Sequence, residues 1–291
     1  DLHSFPTRRS SDLHIGEMLE NEVLASKPLR AVFVTHIHPD HIGLAGWLQQ
    51  RHRVPVLMSK STHEQAELLF GGKASSAAAE AEAFFLSNGV TDLSTLQSMF
   101  SPHRFARMTS GLPTVEHHVA DAETLQWGAN RWTALETNGH AEGHLCLWNA
   151  LERLLISGDQ VLPTISSNIS FTWRGRDPNP LHSFLASLRR LRELPTDTLV
   201  LPSHGIPFRG LQQRVDDLLQ HHAEQLDKIA QACREPKAAA EILPIMFRRA
   251  LAGMHMFLGL GEALAHLEYL AHAGRVERRK DAAGIVRYAS L

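Results

Sequence analysis

The chain is nearly devoid of cysteine: Cys146 and Cys233 are the only two in 291 residues. They stand far apart in sequence. That leaves no disulfide framework and no thiolate zinc knuckle, and it fits a reducing cytosol. No run of about 18 apolar residues occurs, so no membrane-spanning helix is expected. The first residues also lack the apolar stretch that a secretory signal needs. Charge of one sign is missing too. Lys and Arg total 29 against 31 Asp and Glu, a formal net charge of -2, so no global field recruits nucleic acid or anionic lipid. What is present is core-forming material, 43% hydrophobic residues against 21% charged. This suffices for one large domain with a small appendage. The expectation is a soluble cytoplasmic protein with no membrane partner, with pairing as a homodimer left open.

The chain holds 19 histidines, but a count makes none of them a ligand. Pairs such as His117-His118 and His221-His222 read as solvated side chains on polar faces. Residues 14–27 place Ile15, Met18, Leu19, Val23 and Leu24 near a helical stripe. RAVFVT (30–35) reads as a buried strand, 41–52 as a helix and VPVLM (54–58) as a parallel strand. That alternation belongs to an α/β layer. Residues 61–109 read as a mostly helical insertion. Short strands follow from 114: TVEHHV, ETLQW, RWTALET, HLCLWNA and RLLIS. A helix over 179–194, a strand TLVLP (198–202) and a long helix from Leu211 to Cys233 complete a domain running from 14 to 235. Pro236 marks its end.

The chemistry concentrates in VTHIHPDHIG (34–43), where a buried strand runs into His36, His38, Asp40 and His41. Side chains alternate along a strand, so His36 and His38 point to one side, and the turn at Pro39 swings Asp40 and His41 to a neighbouring point. Four nitrogen or oxygen donors within six residues suit two hard-to-borderline cations side by side.

THIHPDH resembles the signature of the metallo-β-lactamase superfamily. Three later stretches resemble that family's other motifs, in order: TNGHAEGH (137–144), LLISGDQV (154–161) and LVLPSHG (199–205). Ala141 stands where Thr or Ser is commoner. The resemblance covers residues 30–205 and implies an α/β (α+β) fold, the αββα sandwich, with a dinuclear site. Carried onto this chain, one metal would take His36, His38 and His140. The other would take Asp40, His41 and His204, with Asp159 bridging both. His144 matches a position that supports a ligand by a hydrogen bond. No cysteine stands at a ligand position. This separates the chain from lactam-hydrolysing zinc enzymes with a Cys ligand and points to the glyoxalase II-like, lactonase-like and RNA-processing branches. Zn2+ is the expected ion, and the all-His/Asp set also admits Fe or Mn. Two cations would acidify a shared water, with Asp40 as the catalytic group that orients the hydroxide and takes a proton.

Residues 236–291 read as helix, helix, longer helix and a hairpin of RVERRK and GIVRYA turned between Asp281 and Gly284. This resembles the small winged-helix tail of some superfamily hydrolases, endoribonucleases among them. The third helix (256–273) carries Glu262 and Glu268 and no basic residue, an acidic face unfavourable to phosphate. Arg275, Arg278, Arg279 and Lys280 on the wing read as a solvated hairpin. The leading expectation is hydrolysis of a small acyl substrate (thioester, lactone or ester), with the helical insertion as a lid. Cleavage of single-stranded RNA is the alternative, so nucleic acid is the less favoured partner. Phe171, Trp173, Arg174 and Arg176 follow the Asp159 loop and are the candidates for substrate contact.

The opening DLHSFPTRRSSDL (1–13) fits none of this. It reverse-translates in one frame into a common short-read sequencing adapter and is expected to be an adapter scar. The family fold places several strands before THIHPDH, whereas residues 14–35 hold one helix and one strand. An N-terminally truncated sandwich is therefore expected, with an unpaired sheet edge.

Overall fold

A computed structural model describes residues 27–71, 77–93 and 108–291. The readings of residues 1–13 and of a helix over 14–27 fall, but for Lys27, outside the described residues. Two sheets form the centre. The first contains β1 (Val32–Phe33), β2 (Val56–Met58) and β3 (Val115–His118), all parallel and in that order. The second runs β4 (Thr124–Trp127), β5 (Asn130–Thr137), β6 (His144–Asn149), β7 (Leu154–Gly158) and β8 (Leu199–Pro202). Its pairs are antiparallel except β7 with β8. That parallel pair needs a crossover, and α5 (Pro180–Arg192) supplies it. Asn179 caps α5 by accepting from the His182 N–H, and Pro180 starts it.

Side-chain alternation assigns the layers. In β2, Leu57 faces the second sheet and meets Leu125, Ala134, Leu145 and Leu147. Val56 and Met58 face the other way, against Ile42, Ala45, Ala66 and Phe70. Those residues belong to α1 (Pro39–Ile42), α2 (Ala45–His52) and α3 (Lys60–Phe70). In β6, Leu145 and Leu147 turn inward, while Cys146 and Trp148 meet the outer helices. All six β6 residues are buried because both faces are covered. The outer layer on this side comprises α5, α6 (Leu211–Ala232), α7 (Ala239–Met246) and α8 (Met254–His272), with Ala81 and Phe85 of α4 (Ala77–Ser87) in the same core. The architecture is the αββα sandwich.

Four expectations need correction. The helix read over 41–52 is broken between α1 and α2. Ser110 arrives from far along the chain, donating its N–H to the Gly43 carbonyl (2.6 Å) and accepting from Trp47 N–H (3.1 Å). It caps α2 where the local sequence offers no cap. The C-terminal unit has two helices after Pro236, α7 and α8, rather than three. The intervening Phe247 and Leu251 instead pack over Gly259, where a Cβ would collide with Leu251 Cδ1. The acidic face of the last helix does not exist, since Glu268 is buried, accepting from Tyr288 Oη (2.6 Å) and Arg278 (3.3 Å), and Glu262 turns inward to Asn168. His222 is not solvated either; it is fully buried beside His266. The hairpin, β9 (Val276–Lys280) with β10 (Val286–Ser290), turns at Asp281, which accepts the Ala283 and Ile285 N–H groups (both 3.0 Å).

Candidate metal centre

Loops at one end of the sandwich converge on Asp159. The chain leaving β1 supplies His36 and His38, α1 supplies Asp40 and His41, the β5–β6 loop His140, the end of β7 Asp159 and the end of β8 His204. Donor atoms of His36, His38, His140 and Asp159 gather in one group and those of Asp40, His41 and His204 in a second, each within 4.8 Å. The structure thus brings together all seven side chains singled out in the sequence.

The distances suit cations. His36 Nε2 stands 3.0 Å from His38 Nδ1 and 3.3 Å from His140 Nε2. Asp159 Oδ2 lies 3.4 Å from His41 Nε2, 3.5 Å from His204 Nε2, 3.6 Å from His140 Nε2 and 3.9 Å from His36 Nε2. Ligands at about 2.0–2.2 Å from a tetrahedral ion stand about 3.3–3.6 Å apart, which matches this spacing. His41 Nε2 and Asp159 Oδ1 are buried without a hydrogen-bond partner. Such orphaned atoms are costly unless something satisfies them, and a bound cation would do so.

The second layer of contacts fixes which nitrogen faces the site. His140 Nδ1–H donates to the Asn168 carbonyl (2.7 Å), leaving Nε2 with its lone pair facing the cluster. His36 Nδ1 meets Thr35 Oγ1 (3.0 Å) in the same way. His144 stands outside both donor groups. It donates from Nδ1 to Thr137 Oγ1 (2.8 Å) and accepts the Asp159 N–H at Nε2 (3.1 Å), pinning the carboxylate's backbone. This contact explains Gly158, whose φ is +52° and whose missing Cβ would collide with His144 Nε2. Ser167 Oγ donates to the Asp159 carbonyl and holds the loop from the other side.

Electrostatics divides the cluster. Burial lowers His36, His140 and His144 below the usual imidazole range and takes His38, aided by His140, down to about 3. These rings are neutral lone-pair donors. Burial also works against a charge on His41, but the Asp159 and Asp40 carboxylates outweigh it and raise the ring to about 9. The same carboxylates raise His204 to about 10. Burial opposes ionisation of Asp40 and Asp159 as well, yet His204 and His41 hold both below the usual carboxylate range. The two carboxylates thus favour positive charge at the place where cations fit. Asp40 is the more open carboxylate, with its side chain 25% exposed against 9% for Asp159, which decides which one can meet a substrate.

A cavity adjoins His38 and His140. Trp173 and Arg174 line it; Phe171 and Arg176 are not among its lining residues. Phe171 packs with the main core, and Arg176 pairs with Glu64 (2.6 Å). Sequence reasoning missed Asn168, whose role runs through a backbone oxygen that no motif marks. It also missed Met254, Phe257 and Leu258 of α8, which reach the cavity from the C-terminal unit.

Comparison with known proteins bears on this arrangement. A sequence model described as the metallo-beta-lactamase superfamily matches residues 5–204, and one described as the metallo-beta-lactamase-like C-terminal domain matches 226–291. The "Probable metallo-hydrolase YqjP" of Bacillus subtilis is 30% identical over 49% of this chain and 46% of its own length. A hydroxyacylglutathione hydrolase of Halorhodospira halophila is 27% identical over 73% of this chain and 61% of its own. The chain thus spans less than two thirds of either curated relative. Among solved structures, a beta-lactamase domain protein from Burkholderia ambifaria superposes with a TM-score of 0.86 at 36% identity, covering 96% of this chain and 80% of that one. A metallo-beta-lactamase family protein from Thermus thermophilus gives 0.77 at 27% identity, covering 98% and 86%.

Proposed function

The chain belongs to the metallo-β-lactamase superfamily, and from that premise we propose that it is a dinuclear metal-dependent hydrolase of small acyl compounds: thioesters, lactones or esters. The observation that carries this reading is the convergence of six His and Asp side chains around Asp159, with buried donor atoms left unsatisfied. His36, His38 and His140 would hold one ion and Asp40, His41 and His204 the other, with Asp159 shared; Zn2+ is the preferred ion, with Fe or Mn compatible. When bound, the cations supply Lewis acidity, polarising a carbonyl oxygen and lowering the pKa of water.

The chain's own groups do the rest. Asp159 keeps the two halves in register through Oδ2, while His144 and Ser167 hold its backbone. Asp40, the open carboxylate, orients the attacking water and accepts its proton. Cys146 is not a competing nucleophile, because burial pushes its thiol up to about 12. A relative named hydroxyacylglutathione hydrolase supports the acyl reading. The RNA alternative draws less support from the hairpin, whose Arg275, Arg278 and Arg279 are paired with Asp227, Glu268 and Glu277.

The test is a metal-loaded panel of thioesters, lactones and esters run beside a labelled single-stranded RNA, with Asp40→Ala as control. Acyl turnover that a chelator abolishes, and that falls about 10²–10⁴-fold in the variant, is expected. RNA cleavage without acyl turnover would overturn the substrate class, and full activity in the variant would sink the role given to Asp40.

A further inference from the structure

The cavity beside the cluster has a volume of about 260 Å³, and its walls come from elements far apart in the chain. His38 and His140 lie at one end. Leu69 and Phe70 enter from α3, Trp173 from the loop after Asp159, and Met254, Phe257 and Leu258 from α8 of the C-terminal unit. Trp173 and Phe257 pack edge to face, 6.2 Å between ring centres, and Phe257 leans on Phe85 at 6.1 Å. These aromatic contacts fix the wall in one shape.

The polar side chains on the lining are already engaged with the protein. Arg174 binds Glu80 (3.0 Å), and Glu142 Oε1 accepts the Arg176 N–H (2.6 Å). Asp177 accepts from Asn179 N–H (2.8 Å), and Asn168 donates to Glu262 (3.1 Å). Thr172 Oγ1 accepts from Gly175 N–H (3.1 Å). A ligand in this cavity therefore meets chiefly carbon. A sugar or phosphate buried there would find few partners to replace the water it loses.

We infer that this cavity is an acyl-chain pocket, completed by α8, and that the preferred substrate carries an unbranched apolar chain whose length the cavity limits. The inference rests on the acyl-hydrolase reading for the reacting carbonyl, which lies at the His38 and His140 end. The C-terminal unit is then part of the substrate site rather than a separate binding module.

Two measurements test it separately from the chemistry. The first is calorimetric binding of straight-chain alcohols, butanol to dodecanol, to the metal-free chain. Each added methylene is expected to tighten binding about three- to fourfold until the cavity is filled, and not beyond. Met254→Phe, which narrows the wall, shifts that break to a shorter alcohol, and Leu258→Ala shifts it to a longer one. The second is kcat/KM for thioesters from acetyl to lauroyl with the metal-loaded enzyme, which should rise and break at the same length. Binding that ignores chain length, or breaks that neither variant moves, would overturn the pocket. A full binding ladder with no turnover of any thioester, lactone or ester would uphold the pocket and overturn the acyl-hydrolase reading instead.

Discussion

Glu262 Oε2 accepts a hydrogen bond from Asn168 Nδ2 at 3.1 Å, and the backbone oxygen of the same asparagine receives His140 Nδ1–H at 2.7 Å. A carboxyl on the C-terminal unit thus steadies a histidine of the cluster through one intervening residue. Burial raises Glu262 to about 7, so this arrangement is costly to ionise. Glu262→Leu removes one of the contacts that hold Asn168, which keeps the Leu258 carbonyl (3.3 Å) and Ser170 Oγ (2.6 Å), and so loosens the His140 ring. A loss of about tenfold in metal affinity is expected, measured by competition with a chelator, with Glu262→Gln restoring most of it. Equal affinity in both variants would show that Glu262 merely packs.

His144 acts on Asp159 through the backbone. Removing its ring leaves the Asp159 N–H buried without an acceptor, a cost of about 1–3 kcal/mol. His144→Ala should lower the denaturation midpoint and weaken metal binding about 10–100-fold. A ligand role would predict loss of one ion outright, whereas a pinning role predicts both ions bound, each more weakly. Metal content at saturating and limiting supply separates the two.

Asp40 and Asp159 differ in exposure and should differ in effect. Asp159→Asn removes the carboxylate shared by both groups, so retention of both ions collapses on dialysis. Asp40→Asn touches one group at its open edge, so turnover falls by about 10²–10⁴ while the His36, His38 and His140 group keeps its ion. Elemental analysis beside single-turnover kinetics reads both. Identical metal loss in the two variants would refute the division of labour.

His36, His38, Asp40 and His41 were legible as a cluster because they fall within six residues at a strand end, whereas His140, Asp159 and His204 were reached only through the resemblance of their motifs to the family's. The alternation of strands and helices, which is local, made an α/β layer legible; the sandwich itself was reached only through the family resemblance. What was hidden depends on partners distant in the chain. Ser110 breaks the first helix by reaching Trp47, 63 residues earlier. Glu262 and Glu268 read as surface charge because their hydrogen-bond donors, Asn168 and Tyr288, come from other elements. The His222 partner, His266, lies 44 residues on, so no spacing rule could pull that ring out of the solvent.

That buried pair gives the chain an acid-sensitive joint. Ser166 Oγ lies 3.2 Å from His222 Nε2, His222 Nδ1 lies 3.2 Å from His266 Nε2, and His266 Nδ1 lies 2.8 Å from the Glu262 carbonyl. One proton arrangement satisfies all three contacts: the serine donates to His222, His222 donates to His266, and His266 donates to the carbonyl. Both rings are then neutral. Burial, with neighbouring His266 and His221, takes His222 from 6.5 down to about 3. Burial takes His266 to about 4 against the opposing pull of the Glu262 carbonyl. The unfolded chain therefore binds more protons than the folded one between about pH 4 and pH 6.5, so stability is full above that window and falls as pH drops through it. The loss for each ring is on the order of 2 kcal/mol at about pH 5. Other buried histidines add to the same slope, so the readout is a difference. Replacing both rings by Met should lower stability at about pH 7 but flatten the fall toward about pH 5, measured by urea denaturation. An unchanged slope in the double variant would mean that these rings keep water or protons in the folded state, and the neutral relay would have to be abandoned.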